Sequence, residues 1–395
     1  MCRQLPSTKP TINKLYMRII FSLSILLSIL ALPFASLAAQ VAPPPSLAVK
    51  AYLLQDFNSS TVIASHKKDE RIEPASLTKI MTAYVTFDAI QQGHLKLDQT
   101  LPVSEAAWKI EGSKMFIEPN KPVTVDELLH GMIIQSGNDA SITLAIGVAG
   151  SEAQFADMMN KQATKLGMTN THFMNATGLP DKNHYTTASD LAALASALIR
   201  DFPLEYRRLY SVKEYTYNKI TQPNRNRLLW LDANVDGMKT GHTDTAGYCL
   251  IASSKRGNSR LVSVVLGAVS EAMRASESQK LLNYGFQFYE STLVYKQAQT
   301  INTLRVYKGQ DKTVAATLNK DFYLTLPKGD YARVKANMTS QQPLIAPIKA
   351  GQEIGKITFT LEGKVINEQK LVTAKAVETA GFFGRLLDSI KLLLQ

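Results

Sequence analysis

The sequence predicts an α+β fold in which an antiparallel sheet is flanked by helices, followed by a small all-β module and a terminal amphipathic helix. Three patterns in the 395 residues predict it. Strand-like apolar runs lie at both ends of residues 43–298 and enclose a helical middle. Over 299–375 the texture changes to short alternating stretches broken by Gly309, Gly329 and Gly363. Residues 381–395 then carry a single apolar stripe at helical spacing.

Composition agrees with several packed units, since 45% hydrophobic and 19% charged residues describe neither a disordered nor a collagen-like chain. The net charge of +11 suggests nucleic acid at first sight. Four of the basic residues, Arg3, Lys9, Lys14 and Arg18, fall in the first 38, which hold no acid; without them 40 basic residues face 33 acidic ones, a net +7. The apolar run Ile19 to Ala35, followed by Ser36-Leu37-Ala38, reads as a cleaved export signal over 1–38. An alternative start at Met17 shortens that signal. An uncleaved anchor is the competing reading, against which Pro33 and the small-residue site argue. Loss of Cys2 with the signal leaves Cys249 as the only thiol, so the mature chain has no internal disulfide. Cys249 sits in an apolar run and reads as a buried hydrophobe.

From the N-terminal side, Ala48 to Leu54 and Thr61 to Ala64 read as a hairpin. Pro74 precedes a helix over Ala75 to Ile90. Thr124 and Glu127 form a capping-box pair for a second helix that ends near Gln135. Helices follow from Asn138 toward Val148, over Glu152 to Leu166 with Gly167 as its stop, and over Ser189 to Ile199. Gly247 to Ser253 and Leu261 to Ala268 form a second hairpin, and Glu271 to Tyr289 returns to helical spacing. In the β module, Thr303–Val306, Phe322–Leu326, Tyr331–Val334 and Ile357–Thr360 read as strands. In the tail, Phe383, Leu386, Leu387, Ile390 and Leu394 share one face, too short a segment to span a bilayer but suited to lie in an anionic membrane interface.

Three short motifs carry the chemistry: Ser76-Leu77-Thr78-Lys79, Ser136-Gly137-Asn138 and Lys239-Thr240-Gly241. Serine three residues before lysine stacks the two side chains, so that a neutral Lys79 amine can take the proton from Ser76. Free lysine titrates near ~10.4; burial and a second cation such as Lys239 lower it toward neutral pH. In order and type these motifs resemble the low-molecular-mass penicillin-binding proteins that act as D-alanyl-D-alanine carboxypeptidases. The resemblance extends to Pro74-Ala-Ser-Leu-Thr-Lys-Ile-Met81, Asn224-Arg-Asn226, Leu228-Leu-Trp230, Val235 to Thr243 and Glu277-Ser278. It implies a β-lactamase/transpeptidase-like domain over 43–298.

By that resemblance Ser76 is the acylated nucleophile and Lys79 its base. Ser136 hydrogen-bonds Lys79 and relays a proton to the leaving D-alanine, and Asn138 contacts the substrate amide. Lys239, Thr240 and Gly241 line the cleft along an edge strand, and the N–H groups of Ser76 and His242 hold the oxyanion. The His242 side chain is either pH-tuning or structural. Arg274 matches the family arginine that holds the terminal carboxylate, although Glu271-Ala-Met-Arg274 departs from the usual basic, glycine-containing turn; Lys239 and Thr240 are the alternative holders.

The implied partners are peptidoglycan pentapeptide stems, β-lactams and, through the tail, the periplasmic side of the inner membrane. A serine β-lactamase is the nearest alternative, but 171–178 lacks the Glu-x-x-Leu-Asn of a class A enzyme. A peptidoglycan endopeptidase shares the same motifs, and a penicillin-binding envelope scaffold is the non-enzymatic reading. The six histidines form no metal-ligand array, and no nucleotide motif occurs, so neither metal nor cofactor is expected.

Overall fold

The computed structural model describes residues 42–394; the signal read at 1–38, with Cys2, lies outside that range. Strand β1 (Ala51–Asp56) pairs antiparallel with β2 (Val62–His66) across a polar turn, where Asp56 Oδ1 accepts from Ser59 N–H at 2.7 Å. The expected helix at 75–90 divides in two: a 3-10 turn, Ala75–Thr78, and then α1 (Lys79–Gln91). The cause is backbone geometry, since Ala75 has φ +48°, which an α-helix cannot accept. Helix α2 (Val125–Ile134) starts at the capping box read from sequence: Glu127 N–H donates to Thr124 Oγ1 at 3.3 Å and Thr124 N–H to the Glu127 carboxylate at 2.9 Å. Helices α3 (Asn138–Ala149), α4 (Glu152–Lys165) and α5 (Ala188–Asp201) complete the middle.

Strands β3 (Val235–Thr243), β4 (Gly247–Arg256) and β5 (Ser259–Ala268) close an antiparallel sheet of order β2-β1-β5-β4-β3. Helix α6 (Glu271–Phe288) covers its second face. Successive strand residues alternate between the two cores. Cys249 and Ile251 join the helical core, whereas Leu250 and Ala252 join the smaller core with Leu281 and Leu282 of α6. Covered on both faces, β4 and β5 read as continuous apolar runs rather than alternating ones. Cys249 is fully buried, and burial pushes its thiol up to about 11.

Strand β6 (Tyr289–Tyr295) follows α6 directly and pairs with β9 (Phe322–Pro327), not with the five-stranded sheet. Besides β9, the module contains β7 (Asn302–Tyr307), β8 (Thr313–Thr317), β10 (Lys335–Ser340), β11 (Leu344–Ile345), β12 (Glu353–Leu361) and β13 (Lys364–Thr373). These six form a sheet of order β10-β12-β13-β8-β7-β11. Tyr331–Val334, expected as a strand, is instead largely a 3-10 turn at Asp330–Arg333, entered through left-handed Gly329; the strand starts at Lys335. Helix α7 (Phe382–Leu393) ends the described chain, and no helix among the described residues is long and apolar enough to cross a membrane.

Asp388 is the only buried residue of α7; its carboxylate accepts from Lys308 N–H at 2.7 Å. The apolar stripe faces outward, with Phe383 79% and Leu394 82% exposed.

Candidate active site

The turn carrying Ser76 is held from two sides by residues that have no side chain. Gly178 has φ +84°, and a Cβ there would lie 1.8 Å from the Ala75 carbonyl oxygen; at Gly241 a Cβ would meet Ala75 Cβ and Pro74 O at 3.2 Å. The loop bearing Gly178 is shaped by Asn175 Oδ1, which accepts from Thr177 N–H at 3.2 Å and Gly178 N–H at 2.7 Å. Edge strand β3 and the 175–178 loop therefore press directly on the Ser76 turn.

Lys79 starts α1 with its amine buried among three oxygens: Ser76 Oγ at 3.0 Å, Asn138 Oδ1 at 2.7 Å and the Thr177 carbonyl at 2.6 Å. All three are neutral acceptors, so nothing offsets the desolvation of an ammonium with a direct ion pair. Burial, reinforced by the charge of Arg225 and opposed by Asp139, brings Lys79 down to about 7. The amine is therefore available as a base near neutral pH.

On the facing wall Ser136 occupies the left-handed region, φ +67°, between α2 and α3, a strained setting of the kind found where a side chain must be aimed. Lys239 Nζ donates to Ser136 Oγ at 3.0 Å and to the Thr240 carbonyl at 3.1 Å. Burial and the neighbouring charges of Lys79, Arg225 and Arg274 hold Lys239 well below the ordinary lysine range. The expected Ser136–Lys79 hydrogen bond is replaced by two separate pairs, Ser76 with Lys79 and Ser136 with Lys239. Asn138 Oδ1, with the Thr177 carbonyl, also accepts from Lys79, while Asn138 Nδ2 donates to Glu111 O at 2.6 Å. That double engagement leaves its amide committed within the protein.

A cleft of about 570 Å³ opens over these groups, lined by Ser76, Ser136, Thr240, Gly241, His242 and Arg274 among others. His242 packs on Tyr248 with ring centroids 4.0 Å apart. Arg274, in the first turn of α6, is buried; it donates to Gly241 O and Arg225 O, both at 3.4 Å, and pairs with Glu271 at 2.9 Å.

Residues given no role from sequence also build the site. Asp139 is buried in the first turn of α3, its carboxylate accepting from the N–H groups of Met115, Phe116 and Ala140, each at 2.9 Å, and of Ile117 at 3.3 Å. It ties the 113–117 loop to the helix that carries Asn138. Thr177 contributes only a carbonyl, which a side-chain pattern does not reveal. Among the described residues no group of three or more His, Cys, Asp or Glu is placed to hold a metal ion.

Two serine–lysine pairs facing each other across a cleft beside an edge strand make an acyl-transfer site, and the fold and site together define a serine hydrolase that works through an ester on the enzyme. Comparison with known proteins gives the family. The D-alanyl-D-alanine carboxypeptidase family model matches residues 38–270, and that of the penicillin-binding protein 5 C-terminal domain matches 289–379. The carboxypeptidase DacC of Escherichia coli strain K12 is 45% identical over 366 residues, 91% of each chain, and DacA of the same strain 40% identical over 357 residues, 88% of each. The crystal structure of penicillin binding protein 5 from Haemophilus influenzae superposes with a TM-score of 0.82 at 41% identity, covering 85% of this chain and 99% of that one. This chain belongs to the D-alanyl-D-alanine carboxypeptidase family.

Proposed function

We propose that Ser76, Lys79, Ser136 and Lys239 carry out the two-step hydrolysis by which this serine-type D-alanyl-D-alanine carboxypeptidase trims peptidoglycan stems. The observation that carries the reading is the buried Lys79 amine, 3.0 Å from Ser76 Oγ and titrating near 7. Neutral Lys79 takes the Ser76 proton as Oγ bonds to the penultimate D-alanine carbonyl carbon. The N–H groups of Ser76 and His242 receive the oxyanion, and Arg274 with Lys239 and Thr240 draws the terminal carboxylate to one end of the cleft. The C–N bond then breaks as the proton held on Lys79 passes to the leaving amine by way of the Ser136 hydroxyl, which Lys239 holds in place; neutral Lys79 next takes a proton from the water that attacks the ester and returns it to Ser76 Oγ.

Supporting the carboxypeptidase over the class A β-lactamase reading, the 175–178 loop offers Lys79 a backbone carbonyl rather than a carboxylate. The test is direct: the purified mature chain releases D-alanine from pentapeptide and forms a long-lived adduct with labelled penicillin, and S76A does neither. Rapid penicillin turnover by the wild type, or labelling of S76A at this site, would reverse the assignment.

The same reading places the catalytic domain within 43–288 and starts the β domain at Tyr289, where β6 enters the second sheet. It also makes the chain an exported, periplasmic protein held peripherally at the inner membrane by α7. The exposed apolar stripe of that helix and the net +7 of the chain after residue 38 support this.

A further inference from the structure

His184 has no part in the steps above, yet it reaches the Ser76 turn from outside the catalytic cleft. Thr78, between Ser76 and Lys79, is fully buried, and its Oγ1 shares a hydrogen bond of 3.0 Å with His184 Nε2. His184 is only 2% exposed, its ring edge-on to Phe173 at 5.7 Å, and its Nδ1 has no partner among the described residues. A buried imidazole with one nitrogen stranded costs stability that a phenylalanine would not. What it adds in return is the bond from the other nitrogen. Burial brings the ring down to about 4, so it is neutral where Lys79 works and serves as a fixed hydrogen-bonding group rather than an acid or base.

The turn needs such a hold. Neither the 3-10 turn Ala75–Thr78 nor the start of α1 has a side-chain cap, and Ala75 stands at φ +48°. Bonds from a distant segment supply the hold in series. Ile72 and Thr186 exchange backbone hydrogen bonds of 2.9 Å on the approach to Ser76, His184 takes Thr78, and Ala176 O accepts from Thr82 Oγ1 at 2.7 Å in the first turn of α1. His184 is itself fixed, since its N–H donates to Asp181 O at 2.9 Å, and the adjoining Tyr185 exchanges backbone bonds of 2.9 and 3.1 Å with His172. A pocket of about 520 Å³, lined by Ile72, Glu73, His184 and Thr245 among others, adjoins the approach to the turn and leaves room for it to relax.

We propose that His184 is a positioning residue for acyl transfer: through Thr78 it fixes the turn so that the Ser76 hydroxyl stays 3.0 Å from the Lys79 amine and that amine stays enclosed. The inference rests on the reading of Ser76 and Lys79 as nucleophile and base. Without the Thr78 bond the turn loosens, the amine gains water, and Lys79 rises from about 7 toward the ordinary lysine range. Arg225, Asp139 and Lys239, the charged groups facing that amine, stay in place, so the rise reports hydration. Fewer molecules then carry a neutral base, and those that do hold it less well aligned.

The test measures the rate of acylation by labelled penicillin against pH in the mature chain. H184F, similar in size but without a hydrogen-bonding nitrogen, should acylate about tenfold more slowly near neutral pH, with the acid limb moved upward by about half a pH unit or more. H184Q keeps a donor and an acceptor, and should stay within about threefold of wild type with its limb in place. T78V, which alters no atom of His184, should reproduce the loss and the shift, and T78V/H184F should be no slower than H184F alone. If H184F fails to fold, T78V carries the test by itself. A merely structural histidine gives a different result: fewer chains label, but those that do label at the wild-type rate and with the wild-type limb, which would overturn the proposal. So would a wild-type rate and limb in T78V, equal losses in H184F and H184Q, or losses that multiply in the double variant. Labelling of S76A at this site, or a flat wild-type profile, would instead overturn the Ser76–Lys79 reading on which the proposal stands.

Discussion

Replacing Asp139 by asparagine removes the support beneath the middle motif without touching a residue that meets substrate. Its two carboxylate oxygens take four backbone N–H groups, those of Met115 and Ala140 on Oδ1 and of Phe116 and Ile117 on Oδ2. An asparagine keeps one acceptor oxygen and turns an NH2 group toward the other pair, so two buried donors lose their acceptor and meet a donor instead. With hydrogen bonds to a charged group worth roughly 1.5–3 kcal/mol and a stranded buried donor costing about 1–3 kcal/mol, the expected destabilisation is about 3–5 kcal/mol. Urea unfolding of wild type and D139N measures it. The same change has an electrostatic signature, because the Asp139 charge raises Lys79 against burial and Arg225. Without it Lys79 falls below about 7, and the acid limb of penicillin acylation moves to lower pH. A stability loss under about 1 kcal/mol, or a limb that stays put or moves upward, would refute this account of the loop.

In the wild type, acylation should rise with pH through a midpoint near 7, since Lys79 is protonated and inert below that value and neutral above it; a flat profile from pH 5.5 to 8 would remove Lys79 as the base. Gly178→Ala places a methyl group 1.8 Å from the Ala75 carbonyl at a left-handed φ, so acylation should drop at least tenfold while α-helical circular dichroism is retained; unchanged acylation would show that the turn yields. Asp388 accepts from Lys308 N–H, a bond that holds its carboxyl below the usual range, so Asp388→Asn should speed hydrogen exchange at the Lys308 amide while binding to anionic vesicles persists; unchanged exchange would show that the bond does not hold α7. Cys249, buried and shifted up to about 11, should resist iodoacetamide in the folded protein and react on unfolding; labelling of the native chain would contradict its burial.

Local patterns were legible wherever the chain signals to itself. The Thr124–Glu127 capping box, the Gly167 stop and the hairpin β4–β5 follow from neighbours a few residues apart, and each forms as read. The 3-10 turn at Ser76 was not legible, because Leu77 to Ile90 has an ordinary helical pattern and the distortion arises where Gly178 and Gly241 press on Ala75. Nor was the start of β6 in the second sheet, since Tyr289–Tyr295 suits a strand of either domain and only its partner Phe322–Pro327 decides. The turn at Asp330–Arg333 likewise looked like a strand, because its alternation of residue types is shared by both conformations.

By itself the sequence determined the family, the three motifs and the pairing of Ser76 with Lys79, because a serine and a lysine three residues apart are brought together by local backbone geometry. Only the tertiary structure decided how the site is wired. Lys79 is bonded by Asn138 and Thr177 rather than Ser136, Ser136 belongs to Lys239, and Asp139 braces a loop more than twenty residues away in the chain. These partners are distant in sequence, and both the bonds and the burial that brings Lys79 to about 7 exist only once the sheet, helices and loops enclose the cleft.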